Sequence, residues 1–163
     1  FIESNNSNDV FVEYLKTGGF RPQKTLMTLA RAMDVGNPSN IARIIDLYEG
    51  NPSLLRKDVE GYAYSDDEIA STMHYISDRF SYLIDPQGAT ALRALQRHLR
   101  PGETGVAMAT AHPAKFRASV KAVTGQEPAI PKELIRTDTH PIRVMKIPPT
   151  LGALNRAMGM RWT

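Results

Sequence analysis

Thr104-Gly105-Val106-Ala107-Met108-Ala109-Thr110 is a continuous run of small and apolar residues, bounded by Pro101-Gly102 on one side and Pro113 on the other. Apolar character without polar alternation is what a parallel strand carries when helices cover both of its faces. The run leads through Ala111-His112-Pro113 into a helical pattern from about Ala114 to Thr124, with Phe116, Val120 and Val123 on one side and Gly125 as the stop. A buried strand feeding a helix is the repeating unit of α/β layer folds, so this stretch predicts an α/β architecture.

Upstream, helices dominate. Ser65-Asp66-Asp67-Glu68 spells a capping box, and Ile69, Met73, Ile76 and Phe80 follow at steps of three and four. Asp85-Pro86 pairs a capping residue with a proline suited to the first helical position, ahead of Ala89, Leu92, Leu95 and Leu99. Pro38-Ser39 precedes Ile41, Ile44, Ile45 and Tyr48, with Gly50 as the stop, and Val10 to Leu15 is a further helical pattern. Leu151, Leu154 and Met158 suggest a last one. Other strands are expected only at Phe1-Ile2 and Ile142 to Ile147, too few for the usual sheet. The chain therefore reads as a piece of a larger fold, and its opening on Phe1 without a Met agrees. Residues 1–125 are expected to belong to one large α/β domain. Residues 126–163, punctuated by Pro128, Pro131, Pro141, Pro148 and Pro149, are expected to form an extension packed on it.

Composition narrows the function classes. The 163 residues can bury roughly 70% of their unfolded surface. No cysteine is present, which removes disulfides, thiolate metal sites and cysteine nucleophiles. A net charge of +3 is too small an excess to indicate a nucleic-acid partner. Arg93, Arg97 and Arg100 read as a solvated face, without the interleaved aromatics of a nucleic-acid site. No run reaches the ~20 apolar residues of a membrane helix, and the first residues lack a secretory pattern. His74, His98, His112 and His140 show no metal-ligand spacing, so no metal is expected, and His74 and His98 read as surface residues.

The functional address follows from topology. Ligands of open α/β sheets sit beyond the carboxyl ends of strands, beside helix N-termini. Thr110, His112 and Lys115 lie there. Asn5, Asn6, Asn8 and Asp9 follow the first strand and either bind a small polar ligand or cap the next helix. Ala32 to Asn40, with Asp34 and Asn37, reads as a turn with caps.

Ala109-Thr110-Ala111-His112-Pro113-Ala114-Lys115-Phe116 resembles the TAHPAKF signature of the threonine synthase family, and Ala32 to Asn40 resembles its AMDVGNPSN segment. Phe1 to Asp9 is similar to the family's FIAATNAND-like strand and loop, Asp85 to Ala89 to its D-P-H-x-A helix start, and Ile130 to Leu134 to its LPKEL element. The landmarks occur in the family's order over about residues 1–135. The resemblance implies a three-layer αβα, tryptophan-synthase β-like fold (fold type II) that uses pyridoxal 5'-phosphate. The implied reaction is conversion of O-phospho-L-homoserine and water to L-threonine and phosphate in the cytoplasm. It implies that Thr110 meets the cofactor's ring nitrogen, a neutral hydroxyl that does not force its protonation. Asn6, Asp34, Asn37 and His112 are implied only to lie near the site.

The family's Schiff-base lysine and phosphate-binding glycine loop belong to an N-terminal half, and none of the seven lysines here stands in such a context. The chain is thus expected to be inactive alone, to need that half as its partner, and to self-associate or be marginally stable. Arg31 for Asn, Gln87 for His and Asn5 for Thr depart from the family pattern. The alternative is a non-catalytic small-molecule-binding or regulatory protein derived from the same fold.

Overall fold

The computed structural model describes residues 1–138, 141 and 144–159. Its contacts divide the chain into two compact units, Phe1–Ala129 and Ile130–Thr163.

The first unit begins with strand β1 (Ile2–Asn5) and helix α1 (Val10–Thr17), which buries Val10, Val12, Tyr14 and Leu15. Gly18 ends α1 in the left-handed conformation and donates its N–H to the Tyr14 carbonyl at 2.8 Å. A long loop leads to α2 (Ile41–Leu47) and α3 (Pro52–Asp58). Asn51 caps α3 by accepting from the Ser53 N–H. Strand β2 (Glu60–Ala63) then pairs with β1 in parallel, Ile2 opposite Glu60 and Glu3 opposite Gly61. Neither α3 nor β2 was expected from the sequence. Leu54 and Leu55 give α3 too short an apolar stripe, and Glu-Gly-Tyr-Ala carries little strand signal until β1 supplies its hydrogen bonds.

Helices α4 (Asp66–Phe80) and α5 (Pro86–His98) form where expected. Both halves of the Ser65–Glu68 capping box are made. The buried Asp85 carboxylate accepts from the Gln87 and Gly88 N–H groups. The expected helix after Pro113 is a 3-10 turn over Pro113–Phe116 followed by α6 (Arg117–Thr124), ended by Gly125 in the left-handed region.

The strands are covered on both faces, the layering of an αβα arrangement. On one side Ile2 and Tyr62 pack on a core of Tyr64, just beyond β2, with Ile69 and Met73 of α4, Ala89 of α5 and Val120 of α6. On the other, Gly61 and Glu3 face Leu15 and Val12 of α1. A second core joins Tyr14, Leu15, Ile41 and Leu55.

The 104–110 segment is a correction. It has no regular structure and pairs with no strand among the described residues, and Val106 is 79% and Met108 72% exposed. A strand exists only through a partner's hydrogen bonds, and β1–β2 is the one sheet among the described residues. A Cβ at Gly105 would lie 3.0 Å from Leu95 of α5 and 3.2 Å from Leu99, the residue that follows the helix. The expected strand at Ile142 to Ile147 falls partly outside the described residues, and residues 144–147 are not a strand.

In the second unit, α7 (Lys132–Asp138) and α8 (Leu151–Ala157) are short helices. Thr150 caps α8 by accepting from the Ala153 N–H at 3.2 Å.

Candidate functional site

The carboxyl end of β1 opens into a polar network. Asn6, wholly buried, donates through Nδ2 to Thr28 Oγ1 (2.7 Å), to Asp34 Oδ1 (2.8 Å) and to the Ala30 carbonyl (3.3 Å). Its Oδ1 accepts from Asn8 N at 2.9 Å and Asn8 Nδ2 at 3.1 Å. Asn8 also clasps the Leu26 backbone, donating to its carbonyl and accepting its N–H. The Asp34 carboxylate accepts from Thr28 Oγ1 (2.6 Å) and Thr28 N (3.0 Å).

Charge-assisted bonds of this number hold the Asp34 carboxylate in one place. Asn6 and Asp34 are therefore brought together, and they act inward: they bind the 26–34 loop to the strand end. Asn6 does not cap α1, whose N-cap position is Asp9. Asp9, the residue ahead of α1, makes no side-chain cap bond. With its amide oriented to satisfy both groups, Gln87 donates to Asp85 Oδ1 at 2.6 Å and accepts from Ala32 N at 3.2 Å. The same loop is thereby tied to the start of α5.

Gly36 explains one position of the Ala32–Asn40 segment. A Cβ there would lie 2.2 Å from the Gln23 carbonyl oxygen, because the two chains are drawn together by the Gln23 N–H to Gly36 carbonyl bond at 2.7 Å. Asn37 next to it is exposed and has no side-chain bond with the described residues.

Thr110 stands at the end of the 104–110 segment, exposed, its hydroxyl unengaged by any described residue. His112, also exposed, begins the 3-10 turn: its Nδ1 accepts from Ala114 N at 3.1 Å. His112 is thus the cap of this turn. Lys115 lies 5.6 Å from the centre of the Phe116 ring. All seven lysines are exposed; Lys16 and Lys121 are engaged with Glu13 and Glu127.

The arginine face is paired: Arg93 and Arg97 approach Glu68, and Arg100 approaches Glu60. His98 is not a free surface residue; it stacks on Tyr62 at 3.4 Å and its Nε2 lies 3.1 Å from the Tyr64 hydroxyl. Among the described residues no group of three or more His, Asp or Glu is placed to hold a metal ion, and no helix is long and apolar enough to cross a membrane.

The family model for the C-terminal region of threonine synthase matches residues 88–158, the stretch that carries Thr110 and His112. The threonine synthase of Escherichia coli (strain K12) is 38% identical over 159 residues, covering 97% of this chain and 36% of its own length. That of Serratia marcescens is 36% identical over 156 residues, covering 96% of this chain and 36% of its own. This chain belongs to the threonine synthase family.

The fold agrees. The crystal structure of the Escherichia coli threonine synthase superposes with a TM-score of 0.77 at 36% identity, over 98% of this chain and 37% of that one. A threonine synthase from Brucella melitensis, crystallised with PLP bound, gives 0.75 at 26% identity, over 82% of this chain and 34% of that one. The architecture is thus the α/β fold of these threonine synthases, fold type II. The chain spans about 36% of the length of the curated threonine synthases it matches.

Reading the sequence missed Asn8 and Thr28 as partners of Asn6 and Asp34. The dense Asn run was the one signal; the pairing of positions some twenty residues apart was not in it. It also missed Glu3, a carboxyl buried in the middle of β1, where a charged residue after Phe1-Ile2 was the available sign.

Proposed function

We propose that this chain is the C-terminal part of a threonine synthase that converts O-phospho-L-homoserine and water into L-threonine and phosphate. The reading is carried by 36–38% identity to threonine synthases across 96–97% of the chain. Pyridoxal 5'-phosphate, bound in a relative of the same fold, is the proposed cofactor, and it supplies the electron sink of the reaction. Residues 1–125 contribute to its large domain, and the enzyme works in the cytoplasm.

The residues present suit one part of that cofactor. The Thr110 hydroxyl is accessible and free of any described partner, so it can both donate and accept at a ring nitrogen without imposing a charge. His112 fixes the turn just beyond it through the Ala114 N–H. Asn6 and Asp34 hold the 26–34 loop at the carboxyl end of β1, so in this reading they brace that end instead of touching substrate. Asn37, exposed and uncommitted, remains available to a ligand. No lysine here is desolvated, the condition that makes an amine a nucleophile at neutral pH. The Schiff-base lysine and the phosphate-binding loop are accordingly assigned to an N-terminal part of the same polypeptide, which is this chain's partner.

Phosphate release from O-phosphohomoserine with added pyridoxal phosphate tests both halves of the proposal. The full-length protein is expected to turn over and the 163-residue chain is not. In the full-length protein, Thr110→Val should lower kcat by roughly ten- to a hundredfold, the loss of one hydrogen bond to a charged or polarised group, while Thr110→Ser retains most activity. Turnover by the isolated chain overturns the assignment of the lysine.

A further inference from the structure

A cleft of about 400 Å³ lies along β1, bounded by α1, the 33–40 loop and the start of α2. That volume is within the range of small-molecule sites. Phe11, Val35, Ile41 and Ile44 make its walls largely apolar, and Glu3 is the one charged residue that lines it. Asn5 Nδ2 donates to Glu3 Oε1 at 2.7 Å and sets the two side chains in register. That bond leaves Glu3 Oε2 and Asn5 Oδ1, both buried, with no donor among the described residues. Buried polar atoms nearly always have a partner, so two adjacent open acceptors in one cleft specify the chemistry of what completes it. Gly61 stands opposite Glu3 in the sheet, where a Cβ would clash with Leu15 of α1 at 2.5 Å and make only ordinary contact with Oε2 at 3.5 Å.

Two acceptors and a potential negative charge in an apolar cleft call for a donor that is cationic and narrow. We propose that this cleft binds a primary ammonium group on a short apolar body, its nitrogen donating to Glu3 Oε2 and Asn5 Oδ1. An ammonium offers three donors, enough for both atoms, and its charge offsets the desolvation of the carboxylate. A neutral amide or hydroxyl would leave the ionised carboxylate uncompensated. The same chemistry can come from a free alkylamine or from a lysine elsewhere in the full-length protein.

No charged neighbour contributes to the titration of this carboxyl, which is set by burial and, in the opposite sense, by the Asn5 hydrogen bond. With the Glu3 carboxyl pushed up to about 7, binding should be about tenfold weaker at pH 6 than at pH 8.5, where the carboxylate is fully formed.

The test is calorimetric titration of the full-length protein with n-butylammonium chloride, alongside n-butanol as the neutral analogue, and a crystal structure at pH 8.5. Butylammonium is expected to bind, butanol is not, and the isosteric Glu3→Gln variant should lose at least tenfold in affinity and the pH dependence with it. If the amine does not bind but the crystal structure places a lysine Nζ on Glu3 Oε2, the ammonium site stands and its source is the protein itself. Equal binding by Glu3→Gln, or a cleft completed by water or a neutral side chain, overturns the proposal.

Discussion

At the scale of the residue, Glu3 shows how position changes chemistry. Burial pushes its carboxyl from 4.5 to about 7, against the smaller opposing effect of the Asn5 hydrogen bond. The folded state therefore binds this proton more tightly than the unfolded chain does. The resulting stabilisation is complete below about pH 4.5 and is lost as pH rises through 7. In the 163-residue chain without added amine, the effect is at most about 3–4 kcal/mol, since a 1-unit shift corresponds to about 1.4 kcal/mol. Urea midpoints should fall between pH 5 and pH 8, and Glu3→Gln should flatten that fall; an unchanged slope would count against a buried carboxyl. Asp34 is the opposite case, a carboxylate with several donors. Asp34→Ala leaves Thr28 N and Thr28 Oγ1 without their carboxylate acceptor in a partly buried site, while Asn6 Nδ2 keeps Thr28 Oγ1 and the Ala30 carbonyl. A loss of about 2–4 kcal/mol in urea unfolding is expected.

At the scale of the element, local signals and long-range ones separate cleanly. Helix α4 begins at Ser65 because its own hydroxyl and the Glu68 carboxylate satisfy the first N–H groups, and α5 begins at Asp85 for the same kind of reason. Such caps need only four consecutive residues, which is why both starts are readable in advance. Strands differ. Thr104 to Thr110 has the composition of a covered strand yet pairs with nothing, whereas the plain sequence Glu-Gly-Tyr-Ala becomes β2 because β1 lies beside it. The loop between α1 and α2 depends on another distant contact, the approach of Gln23 to Gly36. Gly36→Ala would place a methyl group 2.2 Å from a backbone oxygen, which cannot swing aside as a side-chain end can. That substitution should destabilise the chain by about 2–4 kcal/mol, read as a drop in the urea midpoint.

At the scale of the whole molecule, the apolar surface that remains uncovered has consequences. Val106, Met108, Leu47 and Phe80 are all mostly exposed, and Val106 and Met108 lie on a segment whose backbone pairs with no strand among the described residues. Unpaired edges and exposed apolar side chains favour association. Light scattering of the 163-residue chain should therefore give an apparent mass that rises with concentration. Val106→Thr combined with Met108→Thr should shift it toward the monomer. A concentration-independent monomer from the unaltered chain would mean that this segment is covered in solution.

The sequence by itself determined the starts of α4 and α5, the glycine stop of α6, and, through Ala109 to Phe116 and Ala32 to Asn40, the family. These rest on interactions within a few residues or on unbroken strings of identity. Only the tertiary structure decided that Asn6 and Asp34 work on each other and on Thr28, and that His98 is held by Tyr62 and Tyr64. It also decided that the 104–110 segment goes unpaired and that Glu3 is buried beside Gly61. Each of those outcomes depends on groups separated by many residues in the chain. Which distant groups meet is set by how the strands and helices stack, and so by the packing of the whole fold rather than by any short stretch of it.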